Sequence, residues 1–345
     1  LFLAGCQEID TLKREVLKKI KSKMASSRQP FTPRDGITIR TCSLYQTANP
    51  NSDVIRKLPA ETPVHLVDKV GDWFRVRMRD GREGYIEEKV VGGEEIIRLT
   101  QELRRSIEGV PAQAEGVIKT KANFRLAPGR GQQVVEMLAP GKKLEMYERV
   151  ATVQRPASTV EKTPPGGRPA PENPPDGDGP SNAEYAGDPI KKDVWYKVKI
   201  EDGRVGYIYT HNLQLTPPDD IAREVPFMRL LAWRAVSAID DPDMGAKNNY
   251  IAAYAPIGKD PGCDYTRLYF ITWSKKLKRR EIRWQHQTNG ILPITDFSFE
   301  GKPGFSIRHL HPTKKNKLVL ASFVYADSGV RKVSEEEIPT PREMH

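Results

Sequence analysis

One alternating stretch occurs twice in this chain, and it limits what the chain can fold into more than any other feature. Trp73-Phe74-Arg75-Val76-Arg77-Met78 runs through Asp80-Gly81 into Gly84-Tyr85-Ile86, and 122 residues later Trp195-Tyr196-Lys197-Val198-Lys199-Ile200 runs through Asp202-Gly203 into Gly206-Tyr207-Ile208. Alternation at a period of two marks a half-buried strand, and Asp-Gly tolerates the positive φ of a tight turn. Each copy is therefore expected to be a β-hairpin with Trp, Val and Met or Ile on one face and Arg or Lys on the other.

The repeat extends upstream at a different spacing. Val54-Ile55-Arg56-Lys57-Leu58-Pro59-Ala60-Glu61 corresponds to Val134-Val135-Glu136-Met137-Leu138-Ala139-Pro140-Gly141, and the stretch from Ile37 to Tyr45 corresponds to Val117 to Arg125, both at an offset of 80. The step from 80 to 122 places a 42-residue insertion inside the second copy, at about 151–192. That segment carries Pro164-Pro165-Gly166-Gly167 and Pro174-Pro175-Asp176-Gly177-Asp178-Gly179-Pro180 with almost no core-forming residues, so it is expected to be a disordered loop, which costs little in closure entropy.

These motifs resemble the bacterial SH3 (SH3b) family. Asn123-Phe124-Arg125-Leu126-Ala127-Pro128 looks like its early N-x-R-x-x-P segment, Leu138-Ala139-Pro140-Gly141 like its L-x-x-G, and the hairpins like its W-x-x-V and G-Y-I elements. The first copy departs early: Ser43-Leu44-Tyr45 replaces Asn-x-Arg, and Glu61 replaces the Gly. The resemblance covers about 36–91 and 116–216. It implies partly open barrels of five or more short strands and, by analogy with other members, binding to cell-wall peptides or to proteins. Trp73, Tyr85, Trp195 and Tyr207 are the candidate ligand-binding residues. They can be read as a groove of stacked aromatics or as core filling of very small barrels. Gly84 and Gly206 are expected at a bend or a close backbone approach.

Leu3-Ala4-Gly5-Cys6 resembles the lipobox of bacterial lipoproteins. The resemblance implies cleavage before Cys6 and lipidation of its thiol, which would fix the chain to a bilayer. Gln7, rather than Asp, after the Cys points to an outer membrane. Ile9, Leu12, Val16, Leu17 and Ile20 then recur at helical steps among many Lys residues, a pattern that suits a helix lying on anionic head groups or a short stalk.

Lys+Arg of 55 against Asp+Glu of 45 gives a formal charge of +10, which favours anionic partners, but no groove-reading helix, zinc pair or aromatic RNA motif accompanies it, so nucleic acid is not expected. Cys42 and Cys263 remain after Cys6; they could pair or simply sit buried. No metal site or cofactor is expected: the chain has no CxxC and no HExxH, and His309 and His311, though alternating on one strand, lack a third ligand. Cys263 with His286, His309 and His311 is the only nucleophile-like set, without an evident acid-base pair.

Between the barrels, apolar residues at 96, 99, 103 and 107, with acids first and bases last, predict a connecting helix. Beyond 220, strand-like runs at 250–255, 266–273, 281–286, 304–310 and 318–325 predict an antiparallel β domain, while 220–237 reads as a helix or a buried strand. Lys275-Lys276-Leu277-Lys278-Arg279-Arg280 forms a basic hairpin tip that could touch phosphate or carboxylate partners or be a solvated turn. The expected layout is mainly β: anchor 1–6, basic helix or stalk 7–35, barrel 36–92, helical connector 93–115, barrel 116–216 and C-terminal β domain 217–345. The expected function is a non-catalytic, membrane-anchored envelope lipoprotein binding peptidoglycan or another envelope protein. A structural or assembly subunit of a surface complex and a periplasmic enzyme with its chemistry after residue 220 are the alternatives.

Overall fold

Period-two alternation dictates strands, and strands dominate the architecture. The structure, a computed structural model, describes residues 31–153, 192–222, 225, 227–258, 262–314, 317–326 and 329–339. Cys6, the helix expected after it and the core of the insertion lie outside the described residues. The chain divides into two compact units, Leu1–Glu102 and Leu103–His345.

The first unit holds β1 (Arg34–Thr38), β2 (Cys42–Tyr45), β3 (Val54–Leu58), β4 (Pro63–Val70), β5 (Trp73–Arg77), β6 (Glu83–Glu87) and β7 (Val91–Gly92), in the sheet order β3-β2-β6-β5-β4-β1-β7. β5 and β6 form the expected hairpin: the Met78 N–H donates to the Arg82 carbonyl (2.8 Å) and the Gly81 N–H to the Met78 carbonyl (3.0 Å), Gly81 takes φ +81° and the Arg82 N–H is held by the Asp80 carboxylate. Leu44, Leu58, Leu66, Phe74, Val76 and Ile86 fill the core. Helix α1 (Glu94–Ile107) follows with the expected charge order, acids at Glu94 and Glu95 and bases at Arg104 and Arg105.

The second unit opens with β8 (Ala114–Ile118), β9 (Ala122–Arg125), β10 (Val134–Leu138), β11 (Lys143–Val153), β12 (Lys192–Ile200), β13 (Val205–Tyr209) and β14 (Leu213–Leu215). Their sheet order, β10-β9-β13-β12-β11-β8-β14, repeats that of the first sheet strand for strand. β11 and β12 stay paired out to Val153 and Lys192, so the insertion leaves and re-enters at the tip of one hairpin.

A third antiparallel sheet runs in chain order: β15 (Met228–Asp241), β16 (Gly245–Pro256), β17 (Tyr265–Ser274), β18 (Arg279–Phe299), β19 (Lys302–Leu310), β20 (Leu318–Ala326) and β21 (Gly329–Ile338). The ambiguous 220–237 stretch is a strand from Met228. β18 spans 21 residues, pairing with β17 through its first half and with β19 through its second, across an irregularity between Ile291 and Thr295. The sheet curls until the Tyr325 hydroxyl on β20 donates to the Val236 carbonyl on β15 (2.6 Å), around a core that includes Tyr265, Phe270, Leu292, Phe305 and Phe323.

Buried polar contacts join this sheet to the second barrel. Just before β8, the Gln113 amide, only 1% exposed, accepts from the Ile294 N–H (2.7 Å) and donates to the Ile294 carbonyl (2.9 Å). Arg149 on β11 donates to Asp264 (3.1 Å), whose other oxygen accepts from the Leu292 N–H (2.9 Å). Burial pushes the Asp264 carboxyl up, and the Arg149 guanidinium pulls against it.

Candidate aromatic binding face

Trp73 and Tyr85, the two candidate aromatics of the first copy, do not fill its core, and Trp73 lies on the opposite face from the one its pattern with Val76 and Met78 predicts. On β5, Phe74, Val76 and Met78 are buried whereas Trp73 and Arg75 are half-buried and Arg77 is exposed. Trp73 stands an odd number of residues from Val76, so the pleat sends the two to opposite faces. The indole therefore shares the outer face with Arg75 and Arg77, not the core face with Val76.

On that outer face, register assembles a cluster. Arg75 stands opposite Tyr85 on β6, Tyr85 stands opposite Tyr45 on β2, and the Tyr45 ring meets Trp73 edge-on with centroids 5.4 Å apart. Glu87 lies opposite Trp73, and Glu83 pairs with Arg77 (2.8 Å) and, more distantly, with Arg75 (3.8 Å). Arg75 Nε is buried and has no hydrogen-bond partner among the described residues. The rest of the Arg75 side chain is 40% exposed, and beside the aromatic rings it can meet a carboxylate or carbonyl oxygen while the rings carry apolar or sugar surface. Gly84 makes the strand crossing possible: a Cβ there would stand 2.7 Å from Leu44 and 2.8 Å from the Tyr45 carbonyl.

In the second barrel the matching face is filled by the chain itself. Arg125 occupies the position of Tyr45 and lies over the Trp195 ring at 5.9 Å; burial pushes its guanidinium pKa down. Trp195 is 2% exposed and donates through Nε1 to the Thr152 hydroxyl (3.0 Å). Arg130 covers Tyr209 (5.5 Å) and grips Asp193 through two hydrogen bonds of 2.7 and 2.9 Å. Tyr207 is also buried, with Lys197 over its ring at 5.8 Å. Trp195 and Tyr207 are thus closed off, whereas Trp73 and Tyr85 are not.

Tyr45 and Arg75 were not among the sequence candidates. Their signal was present: Tyr45 aligns with Arg125 at the 80-residue offset, and Arg75 shares parity with Trp73.

The remaining sequence candidates separate. Cys263 Sγ contacts the Tyr265 carbonyl (3.4 Å) and Asn289 (3.9 Å). His309 and His311 each face a glutamate of β21, Glu335 at 3.6 Å and Glu337 at 3.7 Å. Among the described residues no three His, Cys, Asp or Glu side chains converge as a metal site would need, and no helix is long and apolar enough to cross a membrane. Cys42 and Cys263 are not bonded to each other.

Residues 41–91 match the bacterial SH3 domain family. Among curated proteins none matches the chain. Of solved structures, NlpC2 from Trichomonas vaginalis is 14% identical over 54% of this chain and 49% of its own, with a TM-score of 0.16. NlpC1 from the same organism is 11% identical over 76% of this chain and 90% of its own, with a TM-score of 0.17. The chain spans about half the length of the first of these.

Proposed function

We propose that this chain is a non-catalytic cell-envelope protein whose first SH3-type barrel binds peptidoglycan through Tyr45, Trp73, Tyr85 and Arg75. The observation that carries the reading is the contrast between two barrels of one strand order: the first leaves Trp73, Tyr85 and the Arg75 side chain partly exposed, while the second fills the same face with Arg125, Arg130 and Thr152. Peptidoglycan offers both partners such a face needs, carboxylates on its stem peptides and sugar or alkyl surface for the rings. The family match over 41–91 supports the same assignment.

In this reading residues 116–216 are a second SH3-type copy that has become structural, bonded to the C-terminal sheet through Gln113 and Asp264. The Leu3-Ala4-Gly5-Cys6 segment supports lipidation at Cys6 and attachment to the outer membrane.

Co-sedimentation of the full chain with purified sacculi tests the proposal. Trp73→Ala and Arg75→Gln are each expected to weaken binding about tenfold or more, as loss of a central aromatic or arginine does at binding faces. Arg130→Gln, on the filled face, is expected to leave it unchanged. Sacculus binding that is absent, or indifferent to Trp73 and Arg75, overturns it.

A further inference from the structure

Far along the chain from the aromatic face, the basic run at the β17–β18 turn is held in a fixed position. Lys278 adopts φ +51° and donates to Asp241 (2.8 Å) and Asp243 (2.6 Å) in the β15–β16 turn. Asp241 also accepts from the Trp273 indole (2.7 Å) and from the backbone N–H groups of Asp243 and Met244. The two turns are thus tied side by side. Arg280 is likewise committed, to Asp220.

These ties account for the nearby acids except Asp240, and they leave Lys275, Lys276 and Arg279 exposed with no ion-pair partner among the described residues; Lys247 lies over Trp273 at 5.3 Å. Between the cations, Leu277 is 47% exposed, and on the neighbouring turn Met244 is 51% exposed. Two apolar side chains at the ends of two tied turns, ringed by free cations, match the layered chemistry of an anionic bilayer: phosphate at the surface and hydrocarbon just below it. A soluble polyanion would satisfy the cations but offer nothing to Leu277 and Met244.

We propose that the paired β15–β16 and β17–β18 turns dock on anionic lipid, with Lys275, Lys276 and Arg279 at the headgroups and Leu277 and Met244 entering the interface. This contact goes beyond peptidoglycan binding and is independent of it.

The test places an environment-sensitive fluorophore at Leu277→Cys in the full chain carrying Cys6→Ser, with the native fold keeping Cys42 and Cys263 poorly reactive. Vesicles of 7:3 phosphatidylcholine and phosphatidylglycerol are expected to shift the dye emission to the blue; pure phosphatidylcholine vesicles are not, and high salt is expected to reverse the shift. Neutralising Lys275, Lys276 and Arg279 to Gln together is expected to weaken the partition about a hundredfold, at about fivefold per charge. A dye that stays in a water-like environment on anionic vesicles overturns the proposal. So does a response to soluble polyphosphate or sacculi without one to vesicles.

Discussion

At the scale of single residues, the repeat allows one copy to be read against the other. Glu61 stands where the second copy has Gly141, and both adopt positive φ, +59° and +85°. For a residue with a Cβ this conformation costs about 1–2 kcal/mol. Glu61→Gly is therefore expected to raise the stability of the first barrel by about 1 kcal/mol, after the larger unfolded-state entropy of glycine is counted, and Gly141→Ala to lower that of the second by a similar amount. Urea unfolding of the two variants checks both signs. Gly84 and Gly206 answer a different demand. A Cβ at Gly206 would stand 2.6 Å from the Arg125 carbonyl and from Phe124, so Ala at either glycine is expected to cost about 1–3 kcal/mol through forced displacement of the crossing strand.

Among elements, the join between the second barrel and the C-terminal sheet depends on few groups. Gln113→Leu removes the partner of both the N–H and the carbonyl of buried Ile294 and is expected to destabilise the second unit by about 2–4 kcal/mol, measured as a lowered urea midpoint. β18 shows why element lengths escaped the sequence reading. The strand-like run expected at 281–286 continues through Gln287-Thr288-Asn289-Gly290 and Pro293; Gly290 is required because the Tyr265 ring packs where a Cβ would stand. β21 lies beyond the last run expected from the sequence, 318–325, and its Glu335, Glu336 and Glu337 suit an edge strand that must not pair further.

His286, on β18, stacks on Trp284. Burial, then His309 and Lys332, hold its pKa below the ordinary histidine range, with Glu335 pulling the other way. The folded state binds this proton more weakly than the unfolded chain. Its stabilising contribution is therefore complete above the unfolded value near 6.5 and is lost as pH falls through the lower folded value. Acidifying from pH 7.5 to 5 is expected to lower the urea midpoint, and His286→Gln to lessen that drop. An identical drop in the variant would refute the assignment.

For the molecule as a whole, Gln113, Arg149 and Asp264 bind the second barrel and the C-terminal sheet into one unit, so both are expected to lose structure in a single transition when followed by separate probes. Among the described residues no disulfide joins Cys42 to Cys263, and burial pushes the Cys42 thiol up to about 11, so reductant is expected to leave the melting temperature unchanged and thiol reagents to react slowly with Cys42 before unfolding.

The sequence by itself determined the hairpins, the strand-for-strand repetition of two barrels, the connecting helix and most strands beyond residue 228, because period-two alternation, Asp-Gly turns and helical spacing are local signals. It also carried the parity that sends Trp73 outward, three residues from Val76. Only the tertiary structure decided which aromatic face stays open. That depends on Tyr45 against Arg125, on Thr152 reaching Trp195, and on Arg130 meeting Asp193, contacts between residues far apart in sequence that no local pattern encodes. The same holds for the repeated hairpin itself: two similarly patterned stretches, Trp73–Ile86 and Trp195–Ile208, present different surfaces because different partners fold onto them.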